Sequence, residues 1–254
     1  IGVALTRLLA QVGVRADVVA GHSVGEFTAA AVGGAVDPWQ ALRFVAARGA
    51  MMSELSGDAG AMVALVAPVA QAREFLVDGA VIANINHPRQ TVISGDTDAV
   101  AEVGRRAAAA GVRAVPLSVS HGFHSPVFDR LDMAPLVDEL TLTDPKLPVA
   151  SCISGELYNS AASVRAVFHR HAVSAVDFTR SVALCRDAGA TLYLQVAAGG
   201  PLRSFVRGTL QALEDKATIL TLASTEDDDG GAAILKCLAD LWVRGVSMDP
   251  AAIT

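Results

Sequence analysis

Charged and aromatic residues are both scarce in this sequence. Of its 254 residues, 18% are charged and 5% are aromatic, whereas 52% are hydrophobic. That balance is typical of a well-buried globular protein and excludes general disorder. The net charge is −6, and no lysine and arginine cluster or basic stripe with interleaved aromatics occurs. Nucleic acid is therefore not expected as a partner.

Cysteines and long apolar runs are also few. Cys152, Cys185 and Cys237 lie far apart without a C-x-x-C pair, so the sequence predicts neither a disulfide framework nor a zinc site, and the three are interpreted as buried small hydrophobic residues. No apolar run is long enough to cross a bilayer, and Arg7 and Arg15 interrupt the N-terminal segment, unlike a secretory signal. We expect a soluble, cytoplasmic protein without a membrane partner.

What the sequence does contain is a serine between glycines, in Gly21-His22-Ser23-Val24-Gly25-Glu26. An apolar run at 17–20 precedes this segment and a helix-forming run follows it, a pattern typical of a nucleophile elbow. The turn is crowded, so small residues flank the serine and its hydroxyl is left exposed at a helix N-terminus. The backbone N–H of Val24 is then placed to stabilise an oxyanion.

A serine hydroxyl needs a base to remove its proton, so the elbow requires a histidine. The chain has six. His22 is expected to point away from Ser23, and the helical and small-unit positions of His87, His169 and His171 make them poor candidates. His121 and His124 remain, in the segment 119–126 where the chain passes between two predicted units. Pockets form at such crossings.

The order of predicted elements indicates an α/β fold in two parts. Residues 60–118 follow the order β-α-β-β-α-β, including a helix at 69–77, which is typical of a ferredoxin-like unit. Residues 1–59 and 119–254 alternate helix and strand and predict a large α/β-hydrolase-like subdomain with a parallel sheet. The elements predicted there include a strand at 17–20, a helix at 126–139, a strand at 147–153 and a helix at 176–188. An acidic loop is predicted at 226–231.

Four separated segments resemble the acyltransferase domains of polyketide synthases and the related malonyl-CoA:acyl carrier protein transacylases. The segment 21–26 resembles the family motif G-H-S-x-G-E. Arg48 stands at the position of the carboxylate-binding arginine. The segment 85–95 resembles the N-x-P and V-x-S-G region, and the segment 121–126 is similar to H-A-F-H-S-P, whose second histidine is the catalytic base.

The resemblance implies roles for individual residues. Ser23 would be the nucleophile and His124 the base for both half-reactions, since imidazole titrates near neutrality. Arg48 would hold a malonyl carboxylate through a bidentate fork. Family members orient the histidine with a main-chain carbonyl, and the matching position is His171, whose backbone and not its ring would act.

The resemblance also implies the substrates and partners. The acyl donor would be the thioester malonyl-CoA, and the acceptor the phosphopantetheine thiol of an acyl carrier protein, with neighbouring synthase domains such as a ketosynthase and no bound cofactor or metal. His121, Phe123 and Val24 would contact the substrate. The bulk of Phe123 crowds an α-methyl branch, and Val24 stands where methylmalonyl-type members often carry glutamine, so malonyl is expected to be preferred over methylmalonyl.

Two departures from the family pattern stand out. No G-Q-G segment, whose glutamine N–H supplies a second oxyanion donor in the family, precedes Ile1, so several dozen residues of the domain are expected to be missing. Gly122 replaces a common alanine, which is expected to be a mild change. Scattered arginines are interpreted either as a docking face for acidic carrier proteins or as ordinary solvated charges, namely Arg130, Arg165, Arg170 and Arg203.

Three alternative interpretations remain open. One is a free-standing malonyl-CoA:acyl carrier protein transacylase of fatty-acid synthesis. Another is a non-catalytic domain that docks carrier proteins. The third is a serine hydrolase of the α/β-hydrolase class, which needs an acid between serine and histidine in chain order and leaves Arg48 without a purpose.

Overall fold

The computed structural model of the protein describes residues 1–55, 57, 59–197, 199–222 and 230–252. Most of the predicted acidic loop, residues 226–229, lies outside the described residues. Within the described ranges, no helix combines the length and the apolar character that a membrane crossing requires.

The described elements alternate between helices and short strands. The α-helices are α1 (Gly2–Gln11), α2 (Gly25–Val32), α3 (Pro38–Ser53), α4 (Val69–Arg73), α5 (Thr97–Ala109), α6 (Ala134–Asp138), α7 (Ala161–Arg170), α8 (Phe178–Asp187), α9 (Leu202–Ala212) and α10 (Gly230–Val243). The strands are β1 (Val19–Ala20), β2 (Ala61–Leu65), β3 (Ala80–His87), β4 (Gln90–Gly95), β5 (Ala114–Pro116), β6 (Val149–Ala150), β7 (Val176–Asp177), β8 (Leu192–Gln195) and β9 (Thr218–Thr221). Two 3₁₀ helices span Pro126–Arg130 and Pro250–Ala252.

The segment from β2 to β5 has the predicted β-α-β-β-α-β order. Its strands pair antiparallel in the spatial order β5-β2-β4-β3, and α5 buries Val100, Val103 and Ala107 against them. A fifth strand, β7, joins β3 in parallel through the pair Asn84↔Val176. Because β7 comes from beyond residue 118, the small sheet extends past the predicted segment, a pairing that local sequence patterns do not reveal.

The other named strands in the described ranges form parallel pairs. Strand β1 pairs with β6, and β8 pairs with β9. Beside β1 and β6, α2 packs Phe27 against Phe44 of α3 and Phe168 of α7, with ring centroids 5.0 and 4.7 Å away. The α/β class predicted from the sequence is confirmed, and this aromatic core fixes α2 behind the elbow.

Helix α3 begins with a side-chain cap and a proline. The side chain of Asp37 accepts hydrogen bonds from the backbone N–H groups of Trp39 and Gln40, and Pro38 occupies the first helical position. Both features satisfy groups that a helix start otherwise leaves unpaired. The helix therefore has a defined start, ten residues before Arg48.

The predicted helix at 126–139 is wrong as one element. The chain forms a 3₁₀ helix over Pro126–Arg130, extends at Leu131, and starts α6 at Ala134. Pro135 explains the break, because proline lacks an N–H and is tolerated in the first turn of a helix but not in its interior. The Asp132 side chain accepts from the Ala134 N–H at the new start.

Four other elements are shorter than predicted. The strand at 17–20 is limited to β1, and the strand at 147–153 to β6, because Ser151 accepts hydrogen bonds from the N–H groups of Ile153 and Ser154 and turns the chain. The helix predicted at 69–77 is reduced to α4. The helix predicted at 176–188 begins two residues later, since Asp177 ends β7 and accepts the Arg180 N–H as the N-cap of α8.

Gly122 lies close to the backbone of Gly95 where the chain returns from the small sheet. The Gly122 N–H donates to the Ala59 carbonyl at 2.7 Å. A Cβ at Gly122 would lie 3.0 Å from the Gly95 oxygen and 3.1 Å from Ser94 Oγ, which is closer than ordinary contact. An alanine Cβ at position 122 would require the Gly95 backbone or the Ser94 side chain to move by a few tenths of an ångström. The expectation that glycine in place of alanine is a mild change stays a prediction.

Candidate active site

Ser23 lies at the apex of the turn between β1 and α2. Its φ of +50° is in the left-handed region, which a non-glycine residue adopts only when its surroundings impose it. A Cβ at Gly21 would lie 2.1 Å from the Gly25 backbone, so only glycine fits there. The segment thus has the strained geometry expected of a nucleophile elbow.

His124 contacts the serine directly, although the two lie 101 positions apart in the chain. The Ser23 Oγ and His124 Nε2 are 2.6 Å apart. On the other side of the ring, Nδ1 lies 3.1 Å from the His171 carbonyl oxygen and 3.0 Å from the Ser174 carbonyl oxygen. Carbonyl oxygens only accept, so Nδ1 carries the proton and the Nε2 lone pair faces the serine hydroxyl.

The His171 carbonyl lies within hydrogen-bond distance of His124 Nδ1, and its role in orienting the base stays a prediction. The second carbonyl, that of Ser174, was not predicted, because a backbone acceptor in a turn has no signature in the sequence. In the part of the chain that the structure describes, no carboxylate contacts His124, and so the Ser-His-acid arrangement of the hydrolase alternative is not formed there.

Burial determines the protonation of His124. The side chain is only 3% exposed, and desolvation, helped by the positive charge of Arg48, lowers its pKa from 6.5 to about 4. Hydrogen bonds from the ring to the two carbonyls oppose this shift. The imidazole is therefore neutral at pH 7, which is the form that accepts a proton.

A pH titration followed by ¹⁵N NMR of the histidine rings tests this assignment. Because a lowered pKa extends the neutral range towards acid, the His124 ring signals should stay constant as the pH falls through 6.5 and change only near 4. The Ser23→Ala variant, which keeps the burial, should titrate similarly. A midpoint near 6.5 for His124 would contradict the account.

Arg48 is a buried cation on α3. It is 8% exposed, and its guanidinium carbon lies 5.6 Å from the centroid of the Phe27 ring. Among the described residues no carboxylate pairs with it, and its Nε has no hydrogen-bond partner. Burial lowers its pKa to about 10, so it stays charged at neutral pH. An unpaired buried cation is costly and is suited to a bound anion.

The Val24 N–H is the first amide of the turn into α2. The Gly25 N–H donates to the His22 carbonyl and the Glu26 N–H to the Ser23 carbonyl, whereas none of the described residues accepts from Val24. Its position next to Ser23 and at the start of a helix suits an oxyanion donor. The Val24 side chain is half exposed.

His121 and Phe123 precede the base His124 by three positions and one position in an irregular segment. The Phe123 ring stacks on Phe128 with centroids 5.6 Å apart and planes 12° apart. His121 Nδ1 lies 2.8 Å from Ser120 Oγ, and its ring is 5.8 Å from that of Phe123. No hydrogen bond or ring contact among the described residues joins either side chain to Ser23 or His124, so their contact with substrate stays a prediction.

Glu26, which the sequence did not mark as a functional residue, is completely buried. Its carboxylate accepts hydrogen bonds from Ser151 Oγ at 2.5 Å, Tyr158 OH at 2.5 Å and Cys152 Sγ at 2.8 Å. Burial raises the pKa of Glu26, and these donors partly oppose the rise. The sequence feature that could have indicated a role for Glu26 is that it is the one acidic residue in the otherwise largely apolar helix Gly25–Val32.

The three cysteines are free and buried, as predicted.

His22 connects the elbow with the small sheet. Its Nε2 lies 2.7 Å from Asn86 Oδ1 in β3, and Asn86 Nδ2 donates to Gln90 Oε1 in β4 at 2.8 Å. The ring packs edge-on against Phe178, with centroids 5.3 Å apart. This chain of hydrogen bonds anchors one side of Ser23 to the other unit of the fold.

Of the four arginines considered for docking, Arg165 has a structural role. It donates to the carbonyl oxygens of Val137 and Leu140 and pairs with Asp138, which satisfies the C-terminal end of α6.

Across the described ranges, no three His, Cys, Asp or Glu side chains converge as the ligands of a metal would.

An elbow serine, a neutral buried histidine and an unpaired buried arginine are found on this α/β scaffold, and the family match identifies the chain as an acyltransferase. The chain belongs to the family described as acyl transferase domain, whose profile matches residues 1–246. Mycoketide-CoA synthase of Mycobacterium tuberculosis is 37% identical over 254 residues, which cover 97% of this chain and 6% of that protein.

Two solved structures are similar to this one. The acyltransferase domain from the second module of the salinomycin polyketide synthase matches with a TM-score of 0.90 and 36% identity, over 99% of this chain and 60% of that one. A malonyl-transacylase in complex with its type II polyketide synthase acyl carrier protein matches with a TM-score of 0.79 and 27% identity, over 94% of this chain and 78% of that one. The chain thus spans only part of each relative.

Proposed function

We propose that this chain transfers malonyl from malonyl-CoA to the phosphopantetheine thiol of an acyl carrier protein, as the acyltransferase domain of a polyketide synthase. The observation that carries the proposal is the 2.6 Å contact between Ser23 Oγ and His124 Nε2 in a site that also holds a buried, unpaired Arg48. The first two supply a nucleophile and its base, and the third supplies a partner for a distal carboxylate.

In the first half-reaction, Ser23 Oγ attacks the thioester carbonyl while its proton passes to His124 Nε2. The carbonyl oxygen becomes an oxyanion that the Val24 N–H stabilises. Collapse of the intermediate breaks the C–S bond, and the thiolate of CoA leaves with the proton from His124. The malonyl group remains as an ester on Ser23.

In the second half-reaction, the phosphopantetheine thiol replaces CoA in the site. His124, neutral again, takes the thiol proton, and the thiolate attacks the malonyl ester carbonyl. Collapse breaks the ester C–O bond, and His124 returns the proton to Ser23 Oγ. The enzyme is regenerated without any net change, as a ping-pong route requires.

Arg48 and Phe123 would select the acyl group. The planar guanidinium suits a bidentate grip on the malonyl carboxylate, which lysine does not reproduce. The stacking of Phe123 on Phe128 restricts its ring, which supports a preference against an α-methyl branch. One methyl group is worth about 1–3 kcal/mol in such a pocket, so the selectivity should be a preference and not an absolute exclusion.

The relatives support this setting. The similar transacylase was solved with an acyl carrier protein, and the similar salinomycin domain belongs to one module of a polyketide synthase, which supports neighbouring domains such as a ketosynthase. The cytoplasmic location is carried over from the sequence as part of the proposal. Arg170 and Arg203 are exposed and suit an acidic carrier protein better than the structurally engaged Arg165. A free-standing transacylase uses the same chemistry and differs only in its covalent context.

The Arg48→Ala variant tests the substrate class. Because it removes the partner of the malonyl carboxylate, malonyl transfer to a holo acyl carrier protein should fall by about 100-fold to 1,000-fold. Transfer from acetyl-CoA, which has no distal carboxylate, should be unchanged or rise. The Arg43→Ala variant, with an exposed arginine on the same helix, serves as the control. Unchanged malonyl kinetics in Arg48→Ala would exclude this arginine as the carboxylate partner.

A further inference from the structure

The imidazole ring of His171 has contacts that its backbone role does not explain. The residue follows α7, is completely buried, and packs on Phe27 with ring centroids 4.4 Å apart. Its Nε2 lies 3.2 Å from the Ser23 carbonyl oxygen and 3.9 Å from Glu26 Oε2. Both oxygens are acceptors, so Nε2 carries the ring proton. Nδ1 then holds a lone pair, and no described group donates to it.

A side chain with only a packing role would not need this arrangement. The carbonyl that holds His124 belongs to the backbone and is present with any residue at position 171. An unpaired buried nitrogen costs stability, whereas an apolar side chain would fill the same space without that cost. The polar contact at Nε2 is therefore the feature that distinguishes histidine here.

The acceptor of that hydrogen bond is the Ser23 carbonyl, and its peptide group also carries the proposed oxyanion donor. The Ser23 carbonyl and the Val24 N–H belong to one peptide unit, so any group that fixes the carbonyl also fixes the N–H. The carbonyl accepts from the Glu26 backbone N–H at 2.8 Å and from His171 Nε2 at 3.2 Å. Hydrogen bonds on the carbonyl side polarise the peptide and strengthen the donor on its other side.

We propose that the His171 side chain is a positioning residue that holds the Ser23–Val24 peptide so that the Val24 N–H faces the developing oxyanion. The inference rests on the proposed function and adds to it. Through its carbonyl His171 orients the base, and through its ring it orients the oxyanion donor. The Glu26 carboxylate, itself fixed by Ser151 and Tyr158, favours the ring proton on the Nε2 side.

Two substitutions of similar size separate positioning from packing. Glutamine places an amide N–H at the same number of bonds from Cα as His171 Nε2, whereas methionine has a similar shape and no donor. His171→Met should lower kcat for malonyl transfer by about 10-fold to 100-fold with little change in KM, and His171→Gln should stay within a few-fold of wild type. His169→Met, in the same helix with a surface contact to Asp138, is the control.

A fluorophosphonate that labels serine nucleophiles keeps this test independent of malonyl recognition. Its reaction with Ser23 needs the base and the oxyanion donor but no carboxylate site. We expect slower labelling in His171→Met and near wild-type labelling in His171→Gln, with both variants folded by circular dichroism. Equal labelling rates in the two would overturn the inference. If wild type labels at Ser23 but transfers no malonyl, the proposed function fails while the labelling comparison still tests His171.

A measurement on the unmodified protein covers the case in which His171→Met does not fold. The ¹⁵N spectrum of the histidine rings at neutral pH should show His171 protonated at Nε2 and unprotonated at Nδ1. A proton on Nδ1 would leave the His171 ring without a donor for the Ser23 carbonyl, whose remaining hydrogen bond would come from the Glu26 N–H, and would overturn the assignment.

Discussion

Replacing Ser23 with alanine is expected to lower malonyl transfer by at least about 10⁴-fold, the largest effect of any single change in this protein. The reason is that Ser23 supplies the only atom that bonds to the acyl group in the proposed route. His124 and the Val24 N–H would remain in place but without a nucleophile between them. Steady-state transfer to a holo acyl carrier protein, monitored by mass spectrometry of the carrier, measures the loss.

The control for this variant is Ser53→Ala. Ser53 lies at the exposed end of α3, where its hydroxyl donates to the Ala50 carbonyl, and its loss should leave transfer unchanged. The Ser23→Ala protein should also remain folded, because it loses one hydrogen bond and no buried volume. Transfer by Ser23→Ala within tenfold of wild type would show that the acyl group does not pass through this serine.

Replacing His124 with alanine should lower the rate by about 10³-fold to 10⁴-fold. The serine hydroxyl would lose the acceptor that lies 2.6 Å from it, and the water that could replace the imidazole is a weaker base. Because one histidine serves both half-reactions, acylation by malonyl-CoA and discharge to the carrier protein should both slow. Rapid-quench measurements of each half-reaction test the two effects separately.

His169→Ala is the matched control for the His124 variant, since it removes a histidine that contacts Asp138 at the surface. It should leave both half-reactions unchanged. If His124→Ala slowed acylation alone, another group would have to deprotonate the incoming thiol, and the assignment of one base to both steps would be wrong.

Local patterns account for what the sequence predicted correctly. The elbow follows from an apolar run, flanking glycines and a helix-forming run within ten residues, because each of these preferences acts over a few positions. The β-α-β-β-α-β order from β2 to β5 follows similarly from the change of hydrophobic period along the chain. Arg48 and His124 were selected by resemblance. The structure places His124 Nε2 2.6 Å from Ser23 Oγ, and the charge of Arg48 is close enough to help lower the His124 pKa.

What the sequence did not predict depends on contacts between distant positions. The pairing of β7 with β3 joins residues about ninety positions apart, and the Ser174 carbonyl reaches His124 across 50 positions. Neither leaves a periodic signal. The break between the 3₁₀ helix and α6 was within reach of sequence analysis, since Pro135 lies inside the predicted helix at 126–139 and proline is not tolerated in a helix interior.

The buried polar network behind the elbow is the part that only the structure reveals. Glu26 is the last residue of the motif at 21–26, but its hydrogen-bond donors Ser151, Cys152 and Tyr158 lie after β6 in the chain. His171 was assigned a backbone role, and its ring contact with the Ser23 carbonyl depends on the depth at which α7 ends. Burial and orientation, which a linear pattern does not encode, determine both.

The most direct test of the account is mass spectrometry of the wild-type protein after mixing with malonyl-CoA, first intact and then after proteolysis. We expect one malonyl group per chain, located on the peptide that contains Ser23, and its loss when a holo acyl carrier protein is added. Transfer of malonyl to the carrier without any covalent adduct, or an adduct on another residue, would contradict the proposed mechanism.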